Sequence, residues 1–219
     1  MEGIMQASDL PAECLISVDV ETAGAAPWRY SLLSIGACLV DKPERRFYVE
    51  LKPDHQALDP QAAAIHGLSL DRLRLEGMPP AGAMAAFEGW IQTSLTTGQV
   101  PIFVGFNAAF DWMFVADYFH RYLGHNPFGH APLDIKAFYM GLAGVPFLAT
   151  SRRYLAEGDL SILPLEHQAL QDAVEQADLL RRMLAARARL PSAELLGLTR
   201  PEGWQPDGSY LLHSGDPHE

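Results

Sequence analysis

Three short stretches carry residue types at spacings that could do chemistry. In Asp19-Val-Glu21 the acids are two apart, so on a strand they project from one face while Val20 points to the other. Two carboxylates that close repel unless a cation separates them. In Gly105-Phe-Asn-Ala-Ala-Phe-Asp111, Asn107 as a helix cap would place Asp111 in the first turn, where the positive helix end favours an ionised carboxylate. In His167-Gln-Ala-Leu-Gln-Asp172, five helical steps would turn the two side chains about 140° apart. They meet only if His167 belongs to the loop entering the helix and Asp172 to its first turns, which suits a loop proton acceptor beside a fixed carboxylate. Taken singly, each stretch also has an ordinary reading: exposed acids at a strand end, an acid favoured by a helix dipole, a surface histidine.

The surrounding pattern supplies the elements that must hold these residues. Cys14 to Val20 and Leu32 to Val40 are apolar runs separated by the turn-rich Ala23-Gly-Ala-Ala-Pro27, and they read as paired strands. Arg46 to Lys52 alternates as an edge strand does. Asp59-Pro60 opens a helix, and Ala81 to Leu95 forms another with Met84, Phe87, Ile91 and Leu95 on one stripe, stopped by Gly98. Pro101 to Val104 reads as a buried strand, followed by a helix from Asn107 to about Leu123 and another from Asp134 to Gly141, which Asp134 caps. The last helix spans Ala169 to Arg187 with an apolar stripe of Leu170, Val174, Ala177, Leu180 and Leu184, and Pro191 ends it. Three leading strands, then alternating helices and strands, indicate one α/β domain over residues 1–190 on a mixed sheet with helices on both faces, and residues 191–219 as a tail or docked extension.

Composition narrows the class further. With 48% hydrophobic and 20% charged residues among 219, the chain has enough apolar surface for a core and is not collagen, coiled coil or disordered throughout. Cys14 and Cys38 lie in apolar stretches and read as buried thiols, which favours a reducing cytoplasm. No apolar run approaches the roughly 20 residues of a membrane span, and the amino terminus lacks the basic start of a secretory signal. The net charge of -11 argues on its face against a nucleic-acid partner.

Taken together and in this order, D-x-E on a strand, N-x-x-F-D opening a helix and H-x4-D entering a later helix resemble the DEDDh branch of the proofreading-type 3'-to-5' exonucleases. The resemblance runs from about Leu15 to Leu184, with Thr22, Gly24, Ser34-Ile-Gly-Ala37, Ile65-His-Gly-Leu68 and Leu133-Asp134 as supporting details. It implies a ribonuclease-H-like fold, an α/β mixed five-stranded sheet with helices on both faces. It also implies two Mg2+ or Mn2+ ions held by Asp19, Glu21, Asp111 and Asp172, with His167 as general base and a nucleoside 5'-monophosphate as product. Thr22 and Ala23 stand where the family brings backbone near the terminal nucleotide, and Ile65, His66 and Leu68 where its base and sugar pack.

Val18-Asp-Val-Glu-Thr-Ala-Gly24 and Asn126-Pro-Phe128 resemble ribonuclease T, and Phe110 and Phe128 match positions where that enzyme stacks phenylalanines on terminal bases. Ala25 and Ile65 replace two others, Phe106 stands where the family usually has histidine, and Trp28 is a further stacking candidate. RNA and DNA remain equal alternatives. A second reading is a proofreading or adaptor subunit of a polymerase or repair complex that acts through the tail, with Trp204, Tyr210 and Leu211 as contacts; a homodimer is equally open. The acidity is then reinterpreted, since two bound divalent ions would bring -11 to -7. With only 16 basic residues and no long basic stripe, the expected substrate is a short single-stranded 3' end gripped through few phosphates.

Overall fold

The computed structural model describes residues 10–156 and 167–188. All packing below belongs to the compact unit that ends at Leu184. The expected tail from Pro191, with Trp204, Tyr210 and Leu211, lies outside the described residues.

A mixed five-stranded sheet forms the centre, in the order β3-β2-β1-β4-β5. Strand β1 (Ala12–Thr22) pairs antiparallel with β2 (Leu32–Leu39) and parallel with β4 (Gln99–Gly105). The edge-type pattern at residues 46–52 becomes β3 (Arg46–Glu50), antiparallel to β2 at the sheet margin, and the other margin is the two-residue β5 (Leu133–Asp134). All eight residues of β2 are buried, because helices cover both faces.

The period-two alternation of β1 sorts its side chains between two cores. Cys14, Ile16, Val18 and Val20 face α3 (Pro80–Ser94) and α4 (Ala109–Leu123), packing among Met84, Phe87, Ile91, Phe114 and Phe119. Leu15 joins the opposite core with α5 (Ile135–Ala143) and α7 (Ala169–Arg187), through Ile135, Ala177, Leu180 and Met183. Both cysteines are buried free thiols. Helix α1 (Pro60–His66) starts where Asp59-Pro60 predicts: the Asp59 carboxylate accepts the Gln61 N–H at 2.9 Å. Among the described residues no helix is long and apolar enough to cross a membrane.

Three expectations need correction. Helix α2 (Leu70–Glu76) is not anticipated; Ser69 caps it and Leu70 and Leu73 are buried, but seven residues are too few for a convincing period. A second departure is at Asn107, which does not cap α4. It takes a left-handed φ of 65° in the turn leaving β4, and Ala108 occupies the cap position without a side-chain bond. The third concerns α7: Ala177 and Leu180 of the expected stripe are buried and Val174 and Leu184 pack partly buried against the same core, but the buried face also takes in Asp172 and Gln176, which apolar spacing does not select. Short helices between β5 and the described end of this region are a 3-10 turn (Phe147–Thr150) and α6 (Arg152–Ala156).

Candidate active site

Asp19 and Glu21 occupy the last turns of the β1 pleat, opposite Gly36 and Ser34 of β2. A register shift between Glu21 and Thr22 then ends regular pairing, as bulges at functional rims do. At Gly36 an added Cβ would lie 2.2 Å from the Ala169 carbonyl carbon and the Leu170 nitrogen. The missing side chain therefore lets the start of α7 press onto the sheet, and Asp172 in its first turn reaches the two strand acids. One carboxylate oxygen from each of Asp19, Glu21 and Asp172 lies within 4.8 Å of the others.

Asp111 is not part of that trio. It is buried in the first turn of α4, and its Oδ1 accepts the N–H of Val20 at 3.0 Å, which ties the helix to the backbone between the two strand acids. The turn ahead of it is fixed from a distance. Asp134 Oδ2 accepts the Ala108 N–H at 2.6 Å, and its Oδ1 accepts the Ala137 N–H at 2.8 Å, capping α5 as expected. One carboxylate thus serves two helix starts, and it is committed to backbone donors rather than to the acidic cluster.

Electrostatics distinguish this cluster from surface acids. Burial, reinforced by the charges of Asp111, Asp172 and Glu21, holds the Asp19 carboxyl well above the usual carboxylate range. Burial and then Asp172 and Asp111 push Glu21 up to about 8. Burial also raises Asp111, to about 7, although the Val20 N–H opposes the rise. Converging carboxylate oxygens that repel one another when ionised are a donor set suited to a hard divalent cation, so the residues present fit such an ion.

His167 lies in the bend just before α7, with a left-handed φ of 53°, so the sequence-based arrangement of a loop histidine ahead of a helical Asp172 is what the backbone adopts. It lines a cavity of about 240 Å³ together with Glu21, Ser34, Tyr48, His66 and Leu68. Residues 157–166 lie outside the described residues.

The RNase_T family model, described as Exonuclease, matches residues 16–180. The chain belongs to this exonuclease family. A curated relative, the 3'-5' DNA exonuclease Cap18 of Escherichia coli, is 44% identical over 169 residues, which cover 77% of this chain and 90% of that protein. Among solved structures, the nuclease domain of 3'hExo, a DEDDh family member bound to rAMP, is similar with a TM-score of 0.64 at 15% identity, covering 84% of this chain and 96% of that one. Cell-death related nuclease 4 is similar with a TM-score of 0.62 at 19% identity; 81% of this chain is covered, but only 65% of that protein's length. The chain is a 3'-5' exonuclease with the ribonuclease-H-like fold.

The exonuclease places the remaining sequence-selected residues unevenly. His66 is half-buried, its Nδ1 accepts the Leu68 N–H at 2.9 Å, and burial lowers its pKa. Ile65 is exposed at the end of α1. Thr22 and Ala23 are buried, and the Thr22 hydroxyl donates to the Gly24 carbonyl at 2.8 Å, shaping the chain's exit from β1. Phe110 is half-buried beside Phe114, with ring centroids 5.5 Å apart, whereas Trp28 is 77% exposed.

Phe128 corrects the stacking expectation. It is only 5% exposed, with its ring 5.3 Å from Phe103 and 6.0 Å from Phe87, so in this structure it packs as a core residue. Two further residues touch the strand and helix that carry Asp19 and Asp172: Gly36, quoted in the sequence only within Ser34-Ile-Gly-Ala37, and Gln176, which the sequence reading does not single out. Gly36 carried a signal, because glycine inside a strand marks close approach of another backbone. Gln176 carried none beyond lying four residues after Asp172, hence on the same helix face.

Proposed function

We propose that this exonuclease removes nucleotides from single-stranded DNA 3' ends by metal-assisted hydrolysis, releasing nucleoside 5'-monophosphates. The observation that carries the reading is the convergence of Asp19, Glu21 and Asp172, with one oxygen of each within 4.8 Å of the others. These three, with Asp111 behind them, would hold two divalent ions, Mg2+ or Mn2+. When bound, such ions supply positive charge that stabilises the attacking and leaving oxygens of an in-line displacement at phosphorus. His167, on the bend beside Glu21, accepts the proton of the attacking water and acts as general base. Asp111, by accepting the Val20 N–H, holds Asp19 and Glu21 in one orientation.

The cavity beside Glu21, with His66 and Leu68 on its wall, has the location for the terminal sugar and base, next to exposed Ile65. Thr22 and Ala23, which follow Glu21 in the chain, would bring backbone near the terminal nucleotide, and half-buried Phe110 and exposed Trp28 would stack on bases. DNA is favoured by the DNA exonuclease relative. The 16 basic residues against 27 acidic ones favour a short single-stranded end over a long duplex.

The test uses matched DNA and RNA oligonucleotides, labelled at either end, with single-stranded or recessed 3' termini, in EDTA, Mg2+ and Mn2+. Stepwise shortening from the 3' end of single-stranded DNA, with monophosphates released only when metal is present, is the expected result. Equal degradation in EDTA would refute the metal-assisted reading, and preference for RNA or for recessed ends would refute the substrate.

A further inference from the structure

Gln176 is 1% exposed and lies one helical turn beyond Asp172 on the buried face of α7. Its Nε2 donates to Asp19 Oδ1 at 2.5 Å, and its Oε1 accepts the backbone N–H of Phe106 at 2.9 Å. The second bond settles the orientation of the amide. A backbone N–H only donates, so the atom facing Phe106 is the oxygen, and the NH2 group must face Asp19. The side chain therefore spans from helix α7 to the acid on β1 and to the first residue after β4.

We infer that Gln176 is a positioning residue for metal binding: through its bond to Phe106 it holds one oxygen of Asp19 and so fixes the plane of that carboxylate toward Glu21 and Asp172. The inference rests on the proposed role of Asp19 as a metal ligand. A carboxylate free to rotate about its last bond loses orientational freedom when it binds a cation, and a donor that has already stopped the rotation removes that cost. Partners of metal ligands act in this way, and losing one weakens metal affinity or activity about 10- to 100-fold. A purely structural brace would affect folding and leave the metal affinity of the folded protein unchanged.

The test is calorimetric titration of Mn2+ into the full chain and its Gln176→Met, Gln176→Asn and Asp19→Asn variants, with circular dichroism to establish folding. Methionine keeps the length of the side chain without its donors, and asparagine keeps the amide but is one methylene too short to span both partners. Gln176→Met is expected to bind Mn2+ about 10- to 100-fold more weakly while remaining folded. The Mn2+ concentration for half-maximal activity should rise in step, with KM for DNA unchanged at saturating metal. If Gln176→Met fails to fold, Gln176→Asn is read by the same criterion. Wild-type affinity in the folded variant, with binding lost in Asp19→Asn, would overturn this inference alone. A wild-type protein that binds no Mn2+ would overturn both it and the proposed metal site.

Discussion

Gly36 stands directly across from Asp19 in the β1–β2 register, and the backbone of Ala169 and Leu170 fills the space that a Cβ at residue 36 would need. The approach of α7 to Asp19 and Glu21 depends on this bare position. A single methyl group in Gly36→Ala would meet backbone at 2.2 Å and force the start of α7 outward, carrying Asp172 with it. Overpacking of this kind costs about 1–3 kcal/mol, so the variant should melt earlier and bind Mn2+ more weakly. Unchanged melting and unchanged Mn2+ titration would show that the helix does not rest on this contact.

Asp19→Asn should reduce metal-dependent degradation to background, because it removes a ligand charge at the centre of the cluster. The same change should raise the melting temperature of the EDTA-treated protein at pH 8, since buried like charges oppose folding when no cation is bound. A variant that is both active and no more stable would contradict the assignment.

Glu21 sets a pH dependence with a definite sign. Its folded value of about 8 exceeds the ordinary 4.5, so its protonated form contributes stability that is fully present below the ordinary value and is lost as pH rises through the folded one. The melting temperature of metal-free protein should therefore fall between about pH 5 and about pH 9. Glu21→Gln should remove part of that fall. An identical pH profile for the variant in thermal melts would rule Glu21 out as a source.

His167→Ala should slow cleavage by about 100- to 10,000-fold, the usual contribution of a positioned general base. Mn2+ affinity measured by calorimetry should stay close to wild type, because the trio of acids does not include this residue. Full activity would require another proton acceptor, and lost metal binding would make His167 part of the metal site.

Phe128→Ala should destabilise the protein by about 3–5 kcal/mol through the cavity left among Phe87, Phe103 and Phe119. In the milder Phe128→Leu, KM for DNA and preference among 3' termini should match wild type. A changed end preference in a variant of near-native melting temperature would return this ring to the substrate.

The element on which each of Asp19, Glu21, His167 and Asp172 stands is legible from local geometry, while their joint assignment to one site comes from the resemblance of the three motifs, in order, to the DEDDh exonucleases. Alternation along one strand puts the two strand acids on one face, and a helix beginning after residue 167 sets the histidine apart from the carboxylate that follows. The same local reasoning located the paired strands, the α3 stripe and the caps at Asp59 and Asp134. It failed at Asn107, which sits in a left-handed turn while a distant carboxylate, Asp134, accepts the N–H of Ala108 at the cap position, and at Phe128, whose aromatic character is the same in a core as in a binding site.

By itself the sequence determined which groups could do chemistry and on which kind of element each stands, since strand and helix periods are properties of neighbouring residues. The tertiary structure alone decided how close α7 comes to β1, which face of that helix is buried, and that Gln176 meets Asp19 while Gly36 meets the start of α7. Those outcomes depend on contacts between residues far apart in the chain, such as Gly36 with Ala169 and Asp19 with Gln176, and no period within either segment encodes the meeting of the two.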